Sequence, residues 1–411
     1  MNLLLNKSTV NKQSLVNVTG SKSETNRLLL LQALYPNIQL ENISKSDDSD
    51  AMQMALLSKE NTIDIHHAGT AMRFLTAYFS TQEGREVILT GSSRMQERPI
   101  KILVEALQQL GAEILYEKEE GFPPIRIKGK KITANKVTLK ADVSSQYISA
   151  LLLIAPKLEN GLELTLEGEI TSIPYIEMTL ALLNEIGAET TFENNKILVK
   201  PIKESLPAKR ITIESDWSSV SYFYSIVALS SVGTQITVSS YKQNSLQGDS
   251  VLQNIYKDFG VKTEFNSDNS ITISKITMPT LQTVTHNLKN CPDIAQTIAV
   301  TCFGLGMSCN LTGLHTLKIK ETDRLEALKT ELSKLSAIIS VTNDSLTIEQ
   351  SNNPIIKSSI VTYQDHRMAM AFAPLALRIP IIINEAEVVS KSFPTFWKDL
   401  QTIGFQVEEM K

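Results

Sequence analysis

Only three cysteines occur in the chain, Cys291, Cys302 and Cys309, and no two of them are spaced C-x-x-C. That count and spacing fit reduced thiols in a cytosolic protein and no zinc knuckle. The five histidines show no H-E-x-x-H spacing, so no metal ion is expected. No apolar run approaches the ~18 residues of a membrane span. The opening MNLLLNKSTVNK lacks the apolar stretch of a signal peptide, which points to a cytoplasmic protein. Neither G-x-x-x-x-G-K-[ST] nor G-x-G-x-x-G is present, so the common nucleotide cradles are excluded. Charge of one sign is also lacking: 40 basic and 44 acidic residues leave a net charge of −4. Neither nucleic acid nor a polybasic contact with membrane is expected as the main partner.

What is present is 411 residues of ordinary globular composition, 42% hydrophobic and 20% charged. That length suits two or three domains. An internal repeat runs through it. Amphipathic helices such as IKILVEALQQLGAEILY, YIEMTLALLNEIGAETTF, SVLQNIYKDFGVKTEF, RLEALKTELSKLSAIISV and FPTFWKDLQTIGFQVEEM each end in a turn and lead into a strand. The turn residues are Gly111, Gly187, Gly260, Ser336 and Gly404, at spacings of 76, 73, 76 and 68. Glycine there suits a left-handed helix C-cap. A weaker first copy is expected near Asp50–Asp64. Strands such as EVILTG, ELTLEG, QITVSS, SITISK and SLTIEQ predict mixed sheets with helices on one face. Six copies in two domains of three, divided near the segment 203–216, fill the chain.

Ten of the 40 basic residues are arginine, and Arg27, Arg73, Arg94, Arg98, Arg324 and Arg367 lie in short polar segments. Arginine supplies a planar fork for carboxylate or phosphate, so the placement points to a small anionic ligand; structural ion pairing is the plainer reading for each one alone. Nine segments put polar or basic groups at predicted helix starts, in both halves of the chain. GSKSETNR reads as a capping box, with Lys22, Ser23 and Arg27 around the positive end of a helix. HHAGTAMR offers backbone N–H groups at Gly69 and Thr70, and LTGSSRMQERP carries Arg94 and Arg98. DVSSQ holds Ser144, Ser145 and Gln146, TSIPY holds Ser172 and Tyr175, and CPDIA holds Asp293. LKIKETDRL crowds Lys320, Glu321 and Arg324 at a helix start, QDHRMAMA carries His366 and Arg367, and KSFP begins at Lys391. Each segment alone is explained by N-capping. Together they predict helix dipoles and cations converging on one cleft between two domains.

GSKSETNR, AGTAMR, LTGSSRMQERP, SSQ, IPYI, PDIA, KETDRL, DHRMAMA and KSFP stand in the order found in the 5-enolpyruvylshikimate-3-phosphate synthases (3-phosphoshikimate 1-carboxyvinyltransferases), and from Gly20 to Leu400 the chain resembles that family. The resemblance implies an α/β (α+β) fold, a two-domain inside-out α/β barrel with three βαβαββ units per domain. Residues 21–215 would form one lobe, and 1–20 with 216–411 the other. It implies transfer of the enolpyruvyl group of phosphoenolpyruvate to the 5-hydroxyl of shikimate 3-phosphate, on the route to chorismate and aromatic amino acids. No metal or organic cofactor is implied, and a monomer is expected. The positions matching those that hold shikimate 3-phosphate are Lys22, Ser23, Arg27, Ser144, Ser145, Gln146, Ser172, Tyr175, Asp293, Thr316 and Lys320. Those around phosphoenolpyruvate are Lys22, His67, Gly69, Thr70, Arg94, Gln146, Arg324, His366, Arg367 and Lys391. Lys22, Asp293 and Glu321 match the proton-transfer candidates.

The chain is less similar to the UDP-N-acetylglucosamine enolpyruvyl transferases, which carry Lys-Asn where it has Lys22-Ser23 and often a mobile-loop cysteine, whereas its first cysteine is Cys291. That activity, and a non-catalytic anion-binding relative, are the alternatives. The family pattern is broken at His67, where asparagine is usual, at Phe74, where proline is familiar, and at Thr316, where asparagine often contacts shikimate 3-phosphate. These departures predict altered affinity for phosphoenolpyruvate analogues such as glyphosate, with Gly69 leaving room for the inhibitor. The reaction needs acid/base groups on opposite sides of the reacting carbon, which suits Asp293 with Glu321 or Lys22. Mutual repulsion of the site cations without ligand leads to the expectation that the protein opens when empty and closes on its ligands.

Overall fold

The computed structural model describes residues 1–140, 144–168, 170, 173–350, 355 and 357–410. The chain forms two compact units, Gly20–Ile213 and Met1–Thr19 with Glu214–Lys411. Among the described residues there are five four-stranded sheets and one two-stranded sheet. Each four-stranded sheet mixes one parallel pair with two antiparallel pairs. In one of them Thr283–Asn287 runs parallel to Ser308–Thr312, which pairs antiparallel with Leu346–Ile348, itself antiparallel to Ile339–Val341. Helices Ala295–Leu305 and Arg324–Lys334 connect these strands, so the unit is βαβαββ. The parallel pair demands a crossover helix, and the closing pair needs only a hairpin.

Three related units make up each half, one of the six being incomplete. The five turn residues read from the repeat all have positive φ: Gly111 at 97°, Gly187 at 103°, Gly260 at 73°, Ser336 at 77° and Gly404 at 115°. The expected position of the first copy is corrected. Thr62–Asp64 pairs with Glu86–Thr90 in the sheet of the second copy. The first copy is Lys22–Leu34, Ile38–Glu41 and Asp47–Leu57, completed by Lys209–Thr212 running parallel to Ile38–Glu41. It lacks the closing hairpin, and with it the glycine turn by which the other copies are recognised. The helix expected after Ser250 is instead broken into a 3-10 turn, a four-residue α-turn and a second 3-10 turn, Gly248–Val251, Leu252–Ile255 and Tyr256–Phe259.

Two classes of helix serve different ends. The outer helices, such as Lys101–Gln109, bury one stripe: Leu103, Val104, Ala106 and Leu107. The inner helices are buried on nearly every side and lie within the core. In Ser145–Ile154 every residue except Gln146 is buried. In Trp217–Leu229 every residue except Ser218 is buried, and all seven residues of His366–Phe372 are buried. The inner helices of each half are Lys22–Leu34, Gly69–Ser80 and Ser145–Ile154 in one, and Trp217–Leu229, Ala295–Leu305 and His366–Phe372 in the other. Most of the polar motifs sit at their N-terminal ends. A helix buried along its length can meet a ligand only at its end, where four N–H groups lack intrahelical partners.

Candidate active site

In the unit Gly20–Ile213, the helix Lys22–Leu34 starts at Ser21, but the Ser21 hydroxyl makes no capping bond, so the expected capping box is absent. Lys22 Nζ instead lies 3.4 Å from Asp48 Oδ2, near the start of the helix Asp47–Leu57. Arg27 is buried, and each of its three guanidinium nitrogens donates to a protein oxygen. Nε donates to Thr179 Oγ1 at 2.8 Å, Nη1 to the Ser23 carbonyl at 2.7 Å, and Nη2 to Ser149 Oγ at 3.0 Å and the Tyr175 carbonyl at 3.3 Å. It lies 5.5 Å from the centre of the Phe74 ring and 6.0 Å from that of Tyr175. Burial lowers its pKa to about 10, against the raising influence of Tyr175 and Glu24, so it stays charged at neutral pH. Ser23, Arg27 and Tyr175 therefore share one neighbourhood.

Gln146 Nε2 donates to Thr70 Oγ1 at 3.1 Å, which joins the starts of two inner helices. Ser144 caps its helix by accepting from the Gln146 N–H, as the capping reading expects. The helix at Gly69 is capped instead by the backbone of Ala68, and Thr70 lies inside it. A Cβ on Gly69 would meet Arg98 Nη1 at 2.5 Å and Arg73 Nη1 at 2.8 Å, so arginine tips fill the space beside this glycine. His67 Nδ1 lies 2.8 Å from Ser92 Oγ, and Arg94 Nη1 donates to Glu97 Oε2 at 2.7 Å on the surface. Ser172 lies outside the described residues.

In the other unit the side chains interlock around Arg324. Its Nε donates to Asp365 Oδ2 at 2.6 Å, Nη1 to Asp293 Oδ1 at 3.0 Å and Nη2 to Glu321 Oε2 at 2.8 Å. Burial opposes the Arg324 charge, but Asp365, Glu321 and Asp293 outweigh it and hold the pKa above its ordinary value. Arg367 Nη2 donates to Asp293 Oδ2 at 3.2 Å, and Lys320 Nζ lies 3.4 Å from Asp293 Oδ1. Asp365 also caps the helix His366–Phe372, accepting from the Arg367 N–H at 2.8 Å. His366 is buried, and the Thr316 hydroxyl is buried with no hydrogen-bond partner. Lys391 Nζ donates to the carbonyl of Gln364 at 2.9 Å. It ends a 3-10 helix, Ala386–Lys391, rather than standing just before a helix. The loop ahead of Asp365 holds Tyr363 and Gln364 at positive φ, 55° and 54°, a conformation disfavoured for side chains of this size.

The repulsion expected among empty-site cations is corrected here. Arg324 and Arg367 are neutralised by the protein's own carboxylates. The sequence reading missed two of the site's carboxylates, Asp48 beside Lys22 and Asp365 beside Arg324. Only a site crowded with cations, where buried charges need counter-charges, could have suggested them. A surface cavity of about 570 Å³ lined by Asn135, Asn160, Glu163 and Lys200 includes none of the predicted site residues.

Comparison with known proteins decides the family. Residues 41–400 match the family EPSP synthase (3-phosphoshikimate 1-carboxyvinyltransferase). The chain belongs to the EPSP synthase family. It is 46% identical to a 3-phosphoshikimate 1-carboxyvinyltransferase of Bacteroides fragilis strain YCH46 over 402 residues, 96% of each protein. It is 35% identical to the protein of that name from Shewanella woodyi over 426 residues, which cover 96% of this chain and 98% of that one. The EPSP synthase structure from Acinetobacter baumannii has the same fold, with a TM-score of 0.80, 20% identity, and coverage of 99% of this chain and 100% of that one. The two-unit arrangement of βαβαββ repeats is thus the EPSP synthase fold, and among the described residues no helix is long and apolar enough to cross a membrane.

Proposed function

We propose that this chain catalyses the reaction of its family: the enolpyruvyl group of phosphoenolpyruvate passes to the 5-hydroxyl of shikimate 3-phosphate, and phosphate is released. The observation that carries this reading is the convergence of Asp293 and Glu321 on the Arg324 fork, beside Arg367. Two carboxylates able to exchange protons then stand among cations suited to a substrate carboxylate and phosphate.

In this reading a proton added to the methylene carbon of phosphoenolpyruvate makes the adjoining carbon electrophilic. The 5-oxygen of shikimate 3-phosphate, losing its proton to Asp293, adds there. Phosphate then leaves as the methyl carbon gives up a proton. Glu321 or Lys22 supplies and recovers the carbon-bound proton. Incoming anions compete with Asp293 and Glu321 for Arg324 and Arg367, which frees those carboxylates to act at the moment substrate arrives. Ser23, Arg27, Ser144, Ser145, Gln146, Ser172, Tyr175, Thr316 and Lys320 hold shikimate 3-phosphate. Lys22, His67, Gly69, Thr70, Gln146, Arg94, Arg324, His366, Arg367 and Lys391 hold phosphoenolpyruvate. The protein works in the cytoplasm as a monomer without metal or organic cofactor, and makes the precursor of chorismate.

Phosphate release tests the reading. Release should require both phosphoenolpyruvate and shikimate 3-phosphate, and UDP-N-acetylglucosamine should not replace the latter. Release with the sugar nucleotide, or binding of both substrates without release, overturns it.

A further inference from the structure

Behind Arg367 lies a carboxyl that the reaction as described does not use. Asp249, on the 3-10 turn Gly248–Val251, is 4% exposed. Its Oδ2 accepts a short hydrogen bond from the Ser218 hydroxyl, and its Oδ1 is buried with no hydrogen-bond partner. Ser218, the residue of its inner helix that is not buried, accepts from Arg367 Nη2 at 3.3 Å. The same Nη2 donates to Asp293 Oδ2 at 3.2 Å. Two carboxylates thus bear on one guanidinium, Asp293 directly and Asp249 through a hydroxyl.

Their surroundings differ. Asp293 has Lys320 at 3.4 Å, Arg324 at 3.0 Å and Arg367 at 3.2 Å. The charged groups facing Asp249 are Asp293 from the segment Pro292–Ile294, Arg367 from the helix His366–Phe372, and Asp216 from the cap of Trp217–Leu229; the Cys291 thiol also feels its charge. One cation therefore balances Asp249 against two acids, with little water to help.

We propose that Asp249 is a positioning residue for Arg367 that takes up a proton when an anionic carboxylate docks on that arginine, so that docking tightens as the pH falls. An arriving carboxylate draws the Arg367 charge away and adds a third negative group. Asp293 keeps Lys320 while the anion competes for Arg324 and Arg367, so the proton comes from solvent to Asp249. Burial, and then repulsion from Asp293, already holds the Asp249 carboxyl up at about 7, against the pull of Arg367 and Ser218. With the proton in place, Arg367 is released from one of its two internal counter-charges and remains aligned by Ser218.

The inference rests on the reading of Arg367 as an arm for the phosphoenolpyruvate carboxylate. The test is the KM for phosphoenolpyruvate from pH 6 to 8.5 in the full chain, by phosphate release, for wild type, Asp249→Asn and Asp249→Glu. Against Asp249→Asn, which shares the substrate's own ionisation, the wild-type KM should climb by about a further tenfold, as a rise of ~1 unit in the Asp249 pKa on docking implies. Asp249→Asn should have the lower KM at pH 8.5, Asp249→Glu should restore the slope, and the KM for shikimate 3-phosphate should not move. Equal slopes in wild type and Asp249→Asn, or a KM raised alike at every pH, overturn the proposal. If Asp249→Asn fails to fold, calorimetry of phosphoenolpyruvate binding to wild type in buffers of different ionisation heat decides. Proton uptake beyond the ligand's own supports the proposal, and its absence refutes it. If wild type releases no phosphate, the functional reading falls, and the same calorimetry still judges Asp249.

Discussion

Asp365 carries two loads, and separating them gives a quantitative test. Its carboxylate is fully buried and meets Arg324, itself 2% exposed, at 2.6 Å. It also caps the helix His366–Phe372 through the Arg367 N–H at 2.8 Å. Truncation to alanine removes one partner of a buried ion pair, which costs ~3–5 kcal/mol, and loses a cap worth ~1 kcal/mol. Arg324 keeps Asp293 and Glu321 as counter-charges. The ion-pair loss therefore falls at the low end, and the total for Asp365→Ala is about 4 kcal/mol. Asparagine can still cap the helix and accept from Arg324, so Asp365→Asn should lose only ~1–2 kcal/mol. Against a total stability of ~5–15 kcal/mol these differences are large. Urea unfolding followed by tryptophan fluorescence reads them, since Trp217 and Trp397 both lie in this half. If the alanine variant lies within about 1 kcal/mol of wild type, or is no worse than the asparagine variant, the dual role is wrong.

Three further outcomes are expected. Gly69→Ala should fold but push aside Arg98 and Arg73, whose tips would lie 2.5 and 2.8 Å from the new methyl. Phosphoenolpyruvate KM should rise by about tenfold, as a misplaced anion-binding donor implies, and glyphosate inhibition should weaken; unchanged inhibition in an active variant rules out the assignment. Asp249→Asn should also stabilise the fold above neutrality. The native carboxyl, raised to about 7, binds a proton that the unfolded chain releases near pH 4, so native stability falls as pH rises between those values. Urea unfolding at pH 5 and pH 8 should show a gain that is clearly larger at pH 8. Ser336→Gly should stabilise by about 1 kcal/mol, because Ser336 holds a φ of 77° at the repeat turn where the other four copies have glycine; thermal unfolding of the variant checks it.

Periodicity exposed most of the outer helices and the left-handed turns, because those helices present one apolar stripe and four of the five turns carry glycine. It was weak for the inner helices. A run such as Leu28–Leu31 is buried on all sides and has no stripe to detect. The first repeat was misplaced because it lacks the hairpin that carries the turn. Local motifs located Asp293, Glu321, Arg324 and Arg367, each at or near a helix start. They could not reveal that Arg324 and Asp365 meet across 41 positions, or Arg367 and Ser218 across 149, since such pairings arise only from tertiary packing. Where repulsion between cations was expected, the fold supplies carboxylates. Buried charge must be compensated within the protein before any ligand arrives.

Product formed in heavy water tests the central claim most directly. Addition–elimination through a transient methyl group should place deuterium in the vinyl methylene of the product, as mass spectrometry or proton NMR would show, and Glu321→Gln should suppress both turnover and labelling. Product that forms at the wild-type rate with an unlabelled methylene would contradict the account.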